Sequence, residues 1–171
     1  THHLDRLADC DWIIEATIER PEPKRDLFHR LESLVQPETI VSSNTSGIPI
    51  HTLSAGRGER FRQNFLGTHF FNPVRHLHLL ELIPTADTQP DIVIRIRDFA
   101  ERMLGKGVIL ARDVPGFIPN RLGLHGLFRT IRLMEEFGLT IDEVDALTGP
   151  FLGRPKSATF RTADISGLDV L

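Results

Sequence analysis

The sequence predicts an α/β fold: part of a doubly wound sheet with helices on its faces, followed by an all-helical part. Two observations carry this. Apolar runs of strand length alternate with helical periodicity as far as Leu110. Beyond Asp113-Val114-Pro115-Gly116 the strand-length runs stop and only helical patterns remain. Alternation of the first kind builds a sheet with helices packed on it, and a purely helical stretch needs helix-on-helix burial.

The elements follow in order. Leu4 to Ala8 reads as a short helical stretch, and Trp12-Ile13-Ile14 as a strand between Asp11 and Glu15. Pro21 and Pro23 stand at a helix start, where a missing N–H costs little. Leu27, Phe28, Leu31, Leu34 and Val35 continue that helix at a spacing of three and four, and Pro37 is expected to end it. Thr39-Ile40-Val41 is the second strand, expected to run into a polar turn from Ser42 to Gly47. A short helix is expected from Pro49 to Ala55, and a third strand over Asn64 to Thr68, closed by Asn72-Pro73. Leu77, Leu79, Leu80, Leu82 and Ile83 form a fourth strand before Pro84. Ile92 to Leu104 is an amphipathic helix stopped by Gly105, and Val108 to Leu110 a fifth strand. Two strands close together in the middle imply some antiparallel pairing. After the boundary, Phe117 to Phe137 is a long helix ended by Gly138. Thr140 with Glu143 is a capping box, Ser157 to Ile165 a further helix, and Gly167-Leu168-Asp169 the opening of one more element. The expected domains are 1–114 and 115–171.

Composition narrows the function. Of 171 residues 40% are apolar and 25% charged, the balance of a soluble globular chain, and the net charge is −3. That charge gives no reason to expect nucleic acid as a partner. No apolar run reaches the roughly 18 residues of a membrane span. The start, Thr1-His2-His3-Leu4-Asp5-Arg6, has no signal-peptide core. Cys10 is the single cysteine. Together these lead to a cytoplasmic expectation.

In an open α/β sheet, ligands sit at the carboxyl ends of the strands. The polar residues there are Glu15, Glu19 and Lys24 after the first strand, Ser43 to Ser46 after the second, and His69 and Asn72 after the third. Glu81 lies within the apolar fourth strand, and Asn120 opens the long helix. A neutral imidazole is a good base near neutral pH, and a carboxylate on its other nitrogen fixes the tautomer. Ser and Asn hydrogen bonds orient a hydroxyl and polarise an oxygen. Such a set suits hydride removal from a carbinol to a nicotinamide. Each residue also has a structural reading. His69 beside Phe70 and Phe71 also fits a core histidine, Glu81 a solvent-facing edge position, Ser42 to Ser46 a turn, and Asn120 a solvated helix face. Asn44-Thr45-Ser46 also fits a glycosylation sequon, without a secretion signal to support it. His76 and His78, two apart on the expected fourth strand, have no accompanying ligand cluster, so no metal is expected. Gly56-Arg57-Gly58 follows no strand and has no third glycine, so it is not a dinucleotide loop. Ser46 with His69 as a hydrolytic pair lacks a Gly-x-Ser-x-Gly elbow.

Five ordered segments resemble the 3-hydroxyacyl-CoA dehydrogenase family over nearly the whole chain. They are Glu15-Ala16-Thr17-Ile18-Glu19, Ser43-Asn44-Thr45-Ser46, Gly67-Thr68-His69-Phe70-Phe71-Asn72-Pro73, Leu80-Glu81-Leu82-Ile83, and Asp113-Val114-Pro115-Gly116-Phe117-Ile118-Pro119-Asn120-Arg121. The resemblance implies a Rossmann-like NAD-binding domain and a helical second domain, with the acyl-CoA in the cleft between them. It implies His69 as the base, Glu81 as its carboxylate partner, Ser46 bonding the substrate oxygen beside the nicotinamide, and Asn120 completing the catalytic set. Glu19, Lys24, Ser46 and Asn72 match cofactor-side positions, and the cofactor implied is NAD. The implied partners are an acyl-CoA substrate and either a second copy of the chain or a fused or associated enoyl-CoA hydratase module. The tail from Gly153 to Asp164 resembles bacterial forms carrying that fusion. Family members begin with a strand and a Gly-x-Gly-x-x-Gly loop that holds the pyrophosphate. No such loop occurs in these 171 residues. The chain is therefore expected to be a truncated dehydrogenase, with an incomplete helical domain, an exposed apolar sheet edge, and weak NAD binding and turnover by itself. A non-catalytic domain serving assembly or interaction is the alternative from another class.

Overall fold

The computed structural model describes residues 3–167; the expected element at Gly167-Leu168-Asp169 therefore lies largely outside the described residues. The described chain divides into two compact units between Ile118 and Pro119.

The first unit is built on five strands: β1 (Trp12–Glu15), β2 (Ile40–Ser43), β3 (Phe65–Phe70), β4 (Leu79–Pro84) and β5 (Gly107–Leu110). They lie side by side in that same order. β1, β2 and β3 are parallel, β4 runs antiparallel to β3, and β5 is parallel to β4. Four helices connect them: α1 (Pro21–Glu32), α2 (Ile50–Ser54), α3 (Glu59–Gln63) and α4 (Pro90–Arg102). A single 3-10 turn, Leu4–Leu7, precedes β1.

The strands read as unbroken apolar runs because both sheet faces are covered. Successive strand residues point to opposite faces, so neighbours in sequence join different cores. Val41, Phe65 and Ile83 pack with Phe28 and Leu31 of α1, Ile50 and Leu53 of α2, and Phe61 of α3. Ile40, Leu66, Leu80 and Leu82 pack with Ile92, Ile96 and Ala100 of α4 on the other face. Phe28 meets Phe65 edge-on at a centroid distance of 4.9 Å. This is a Rossmann-like α/β architecture.

Several expected boundaries move. α1 ends at Glu32, capped by Ser33, before Pro37 is reached. β2 continues through Ser42 and Ser43, both fully buried, instead of turning at Ser42. Ser42 is satisfied inside the sheet: its Oγ accepts from Trp12 Nε1 at 2.9 Å and from Thr68 Oγ1 at 2.8 Å. α3 arises in a charged connection whose only buried anchor is Phe61, too weak a pattern to read as a helix. His76 and His78 lie in the loop ahead of β4, so no strand aligns them on one face.

The second unit holds α5 (Pro119–Phe137), α6 (Ile141–Thr148), a 3-10 turn (Pro150–Leu152) and α7 (Phe160–Ser166). α5 starts two residues later than its apolar pattern does, because Phe117 is buried in the first unit's core. Gly138 ends α5 at φ 61°, a conformation that costs glycine little. Thr140 and Glu143 form the capping box of α6. The Asp145 carboxylate on α6 accepts from Thr159, Phe160 and Arg161 backbone N–H groups, at 3.1, 2.7 and 3.0 Å, and so starts α7. No helix among the described residues is long and apolar enough to cross a membrane.

Candidate active site

The polar side chains of the first unit gather at one end of the sheet, around two carboxylates. Antiparallel pairing of β3 with β4 places His69 directly opposite Glu81. Residues opposite each other in such a pair have their Cβ atoms within about 5.5 Å on one face. His69 Nδ1 lies 2.8 Å from Glu81 Oε2, with His69 4% exposed and Glu81 fully buried. Glu81 sits between β3 and β5 in the sheet, so it is no edge residue. Its other oxygen, Oε1, accepts the Ile118 backbone N–H at 2.8 Å. An imidazole bonded to a carboxylate through Nδ1–H carries its lone pair on Nε2. Phe71 and Phe117 approach the imidazole at centroid distances of 4.3 and 5.6 Å.

The second carboxylate, Glu15, ends β1 and is 3% exposed. Its Oε1 accepts from Lys24 Nζ at 2.7 Å and from the Thr17 backbone and hydroxyl at 2.6 and 2.7 Å. Oε2 accepts from Ser43 Oγ at 2.5 Å. Burial pulls the Glu15 carboxyl upward, but Lys24, Ser43 and Thr17 together outweigh it and hold it below the ordinary value of 4.5. Lys24 itself is 1% exposed, an ammonium that burial alone would make very costly. Its remaining neighbours are Thr17 O at 3.3 Å and Glu19 Oε2 at 3.5 Å.

Glu19 links this pair to the loop after β2. Its Oε1 accepts from Thr45 Oγ1 at 2.5 Å, Ser46 N at 2.8 Å and Gly47 N at 3.1 Å. Burial acts upward on the Glu19 carboxyl too, and these donors with Lys24 bring it below 4.5. Asn44 Oδ1 accepts from Phe70 N at 2.9 Å, tying the same loop to the end of β3 beside His69. Ser46 is thus carried on a loop held from both sides. α2, which follows it, starts on the Asp113 carboxylate: Ile50 N at 2.6 Å and His51 N at 2.8 Å. Gly67 admits the Ile50 side chain against β3. A Cβ there would lie 2.7 Å from Ile50 Cδ1 and 3.0 Å from Ile83 Cβ.

The structure therefore unites His69 with Glu81, and Lys24 with Glu19 and the Ser46 loop. Asn72 is exposed on the connection after β3. Asn120 belongs to the helical unit, as the second residue of α5. Glu15 organises Lys24, Ser43 and Thr17, and its backbone O accepts from Asn44 N at 2.7 Å; the sequence offered it as the carboxylate closing the first strand and as the start of the Glu15–Glu19 segment. Phe117 and the Ile118 N–H, both touching the His69–Glu81 pair, were not singled out: they lie in the Asp113–Arg121 segment of the resemblance, but Phe117 reads as the first apolar residue of a helix. Among the described residues, no group of three or more His, Cys, Asp or Glu is placed to hold a metal ion.

Residues 1–114 match the family model described as the NAD binding domain of 3-hydroxyacyl-CoA dehydrogenase. The chain belongs to the 3-hydroxyacyl-CoA dehydrogenase family. It is 55% identical over 168 residues to a probable 3-hydroxyacyl-CoA dehydrogenase of Deinococcus radiodurans, covering 98% of this chain and 49% of that protein. It is 50% identical over 165 residues to a protein of the same description from Bacillus subtilis, covering 96% of this chain and 21% of that one. The chain thus spans half or less of the length of these relatives. Among solved structures, FadB2 of M. tuberculosis superposes with a TM-score of 0.90 at 36% identity, covering 99% of this chain and 59% of that one.

Proposed function

We propose that this chain carries the proton-transfer site of an NAD-dependent 3-hydroxyacyl-CoA dehydrogenase. The reaction oxidises a (3S)-3-hydroxyacyl-CoA to the 3-ketoacyl-CoA, a step of fatty-acid β-oxidation. The observation that carries this reading is the buried His69–Glu81 pair, 2.8 Å apart at the end of the sheet. His69 Nε2 accepts the 3-hydroxyl proton as the carbonyl forms. Glu81 keeps the ring in the Nδ1–H tautomer and stabilises the imidazolium that results. Ser46 and Asn120 are assigned to the substrate oxygen, Ser46 also to the nicotinamide side.

NAD, when bound, supplies the hydride acceptor. The polar residues that follow β1 and β2 fit such a group. Glu19 commits Oε1 to the Ser46 loop, while its side chain stays 42% exposed with Oε2 beside the Lys24 ammonium. An accessible carboxylate edge next to a cation suits the vicinal hydroxyls of a ribose. Glu19, Lys24, Ser46 and Asn72 are the residues that would hold it. In this reading residues 1–114 are part of the NAD-binding domain and 115–171 the start of the helical domain. The acyl-CoA is the small-molecule partner, with a second copy or an enoyl-CoA hydratase module as the protein partner.

The test is NADH consumption with acetoacetyl-CoA, comparing the chain with its His69→Ala variant. Turnover that disappears in the variant supports the assignment, and turnover that persists removes His69 as the base. If the unsubstituted chain is inert, and an added glycine-loop segment does not restore activity, a non-catalytic assembly role replaces this reading.

A further inference from the structure

The segment joining the two units is bound into the site at residue level. Gly116 and Phe117 both have positive φ, 72° and 43°. Glycine adopts this region freely, but a phenylalanine there is strained. A turn needing only that backbone shape would be served better by a second glycine. Phe117 is instead 2% exposed, and its ring lies 5.6 Å from the His69 imidazole. The left-handed turn also aims the next N–H, that of Ile118, at Glu81 Oε1, 2.8 Å away. A glutamate carboxylate rotates easily about its last torsion. Holding Oε1 on a backbone N–H stops that rotation and keeps Oε2 on His69 Nδ1. The segment is anchored upstream as well, because Asp113 accepts from Ile50 N and His51 N of α2.

We infer that Phe117 is a positioning residue for His69, and that the strained Gly116–Ile118 turn locks the His69–Glu81 pair in one geometry. Phe117 covers the imidazole and excludes water from its Nδ1–H bond, while the turn it forms fixes the carboxylate. The inference rests on the proposed base role of His69 only for its catalytic consequence; the locking itself is independent of it.

The experiment is nitrogen-15 NMR of the full chain with labelled histidine. In the unsubstituted chain, His69 is expected to show a distinct, slowly exchanging Nδ1–H proton. His51 is the internal control. Its Nδ1 lies 2.6 Å from Asp113 Oδ2, but its side chain is 63% exposed, so that proton exchanges with water and gives no such signal. Phe117→Gly relieves the strain and removes the ring; the His69 signal is expected to broaden or vanish while the chain stays folded. If the glycine variant does not fold, Phe117→Leu retains much of the buried volume, removes the ring, and is expected to show the same loss. In an active protein kcat falls on the order of tenfold with KM unchanged. A His69 signal that stays sharp in a folded Phe117 variant overturns the inference, as does its absence from the unsubstituted chain. Turnover surviving His69→Ala would remove the base assignment while leaving the NMR result to decide on Phe117.

Discussion

Glu81 and Glu15 solve the same problem in different ways. Each is a carboxylate taken out of water, and each has both oxygens occupied by donors. Glu81 spends one oxygen on a titratable imidazole and therefore suits proton transfer. Glu81→Gln keeps the shape but cannot stabilise an imidazolium. kcat is expected to fall at least tenfold with little change in KM, as read from steady-state kinetics. Equal kcat values would dissociate Glu81 from catalysis. Glu15 meets the buried Lys24 ammonium at 2.7 Å, so its role is to offset that charge and place it. Removing one partner of a buried pair leaves an uncompensated group, at a cost of about 3 kcal/mol. Glu15→Gln and Lys24→Met are each expected to lower stability by about that much, and the double variant by less than the sum. Urea unfolding of the four chains decides it, and strict additivity would mean that the pair is not coupled.

Two helices of this chain, α2 and α7, are started by carboxylates from elsewhere in the sequence, which periodicity does not reveal. Asp113 starts α2 and Asp145 starts α7. Asp145→Ala orphans three backbone N–H groups, and a loss of about 1–2 kcal/mol is expected. Hydrogen exchange should show it in α7, with the sheet unaffected; uniform loss across both units would contradict the local assignment. In the sheet, Gly67 is set by packing, since Ile50 occupies the space of its missing side chain. Gly67→Ala is expected to overpack this contact and cost about 1–3 kcal/mol, with a lower thermal midpoint as the measure. A neutral result would mean that α2 shifts freely over β3.

For the molecule as a whole, carboxyls held below their ordinary value set an acid limit: Glu15 and Glu19 in the first unit and Glu143 in the α6 cap. Glu15 and Glu19 have folded values below 4.5. The unfolded chain therefore binds more protons as pH falls past that value, and the folded state loses the corresponding stability. Unfolding midpoints in urea are expected to be flat near neutral pH and to fall below about pH 4.5, as the folded values are approached. Glu15→Gln should reduce the slope in that window, and an unchanged slope would assign the acid limit to other groups. The alternation of strands and helices was readable because burial on both faces forces unbroken apolar runs and helical stripes, which are local patterns. The Thr140–Glu143 cap and the stop at Gly138 were readable for the same reason. His69, Glu81, Lys24 and Glu19 could be named as candidates by residue type and position, but sequence left Glu81 open as an edge residue and His69 as a core one. Pairing β3 against β4 settled their contact, because it alone puts residues twelve apart in the chain opposite each other. Likewise Phe117 read as helix and folded as a strained turn. Its conformation depends on a buried ring and a carboxylate on another strand, and long-range contacts of that kind leave no periodic trace in the chain.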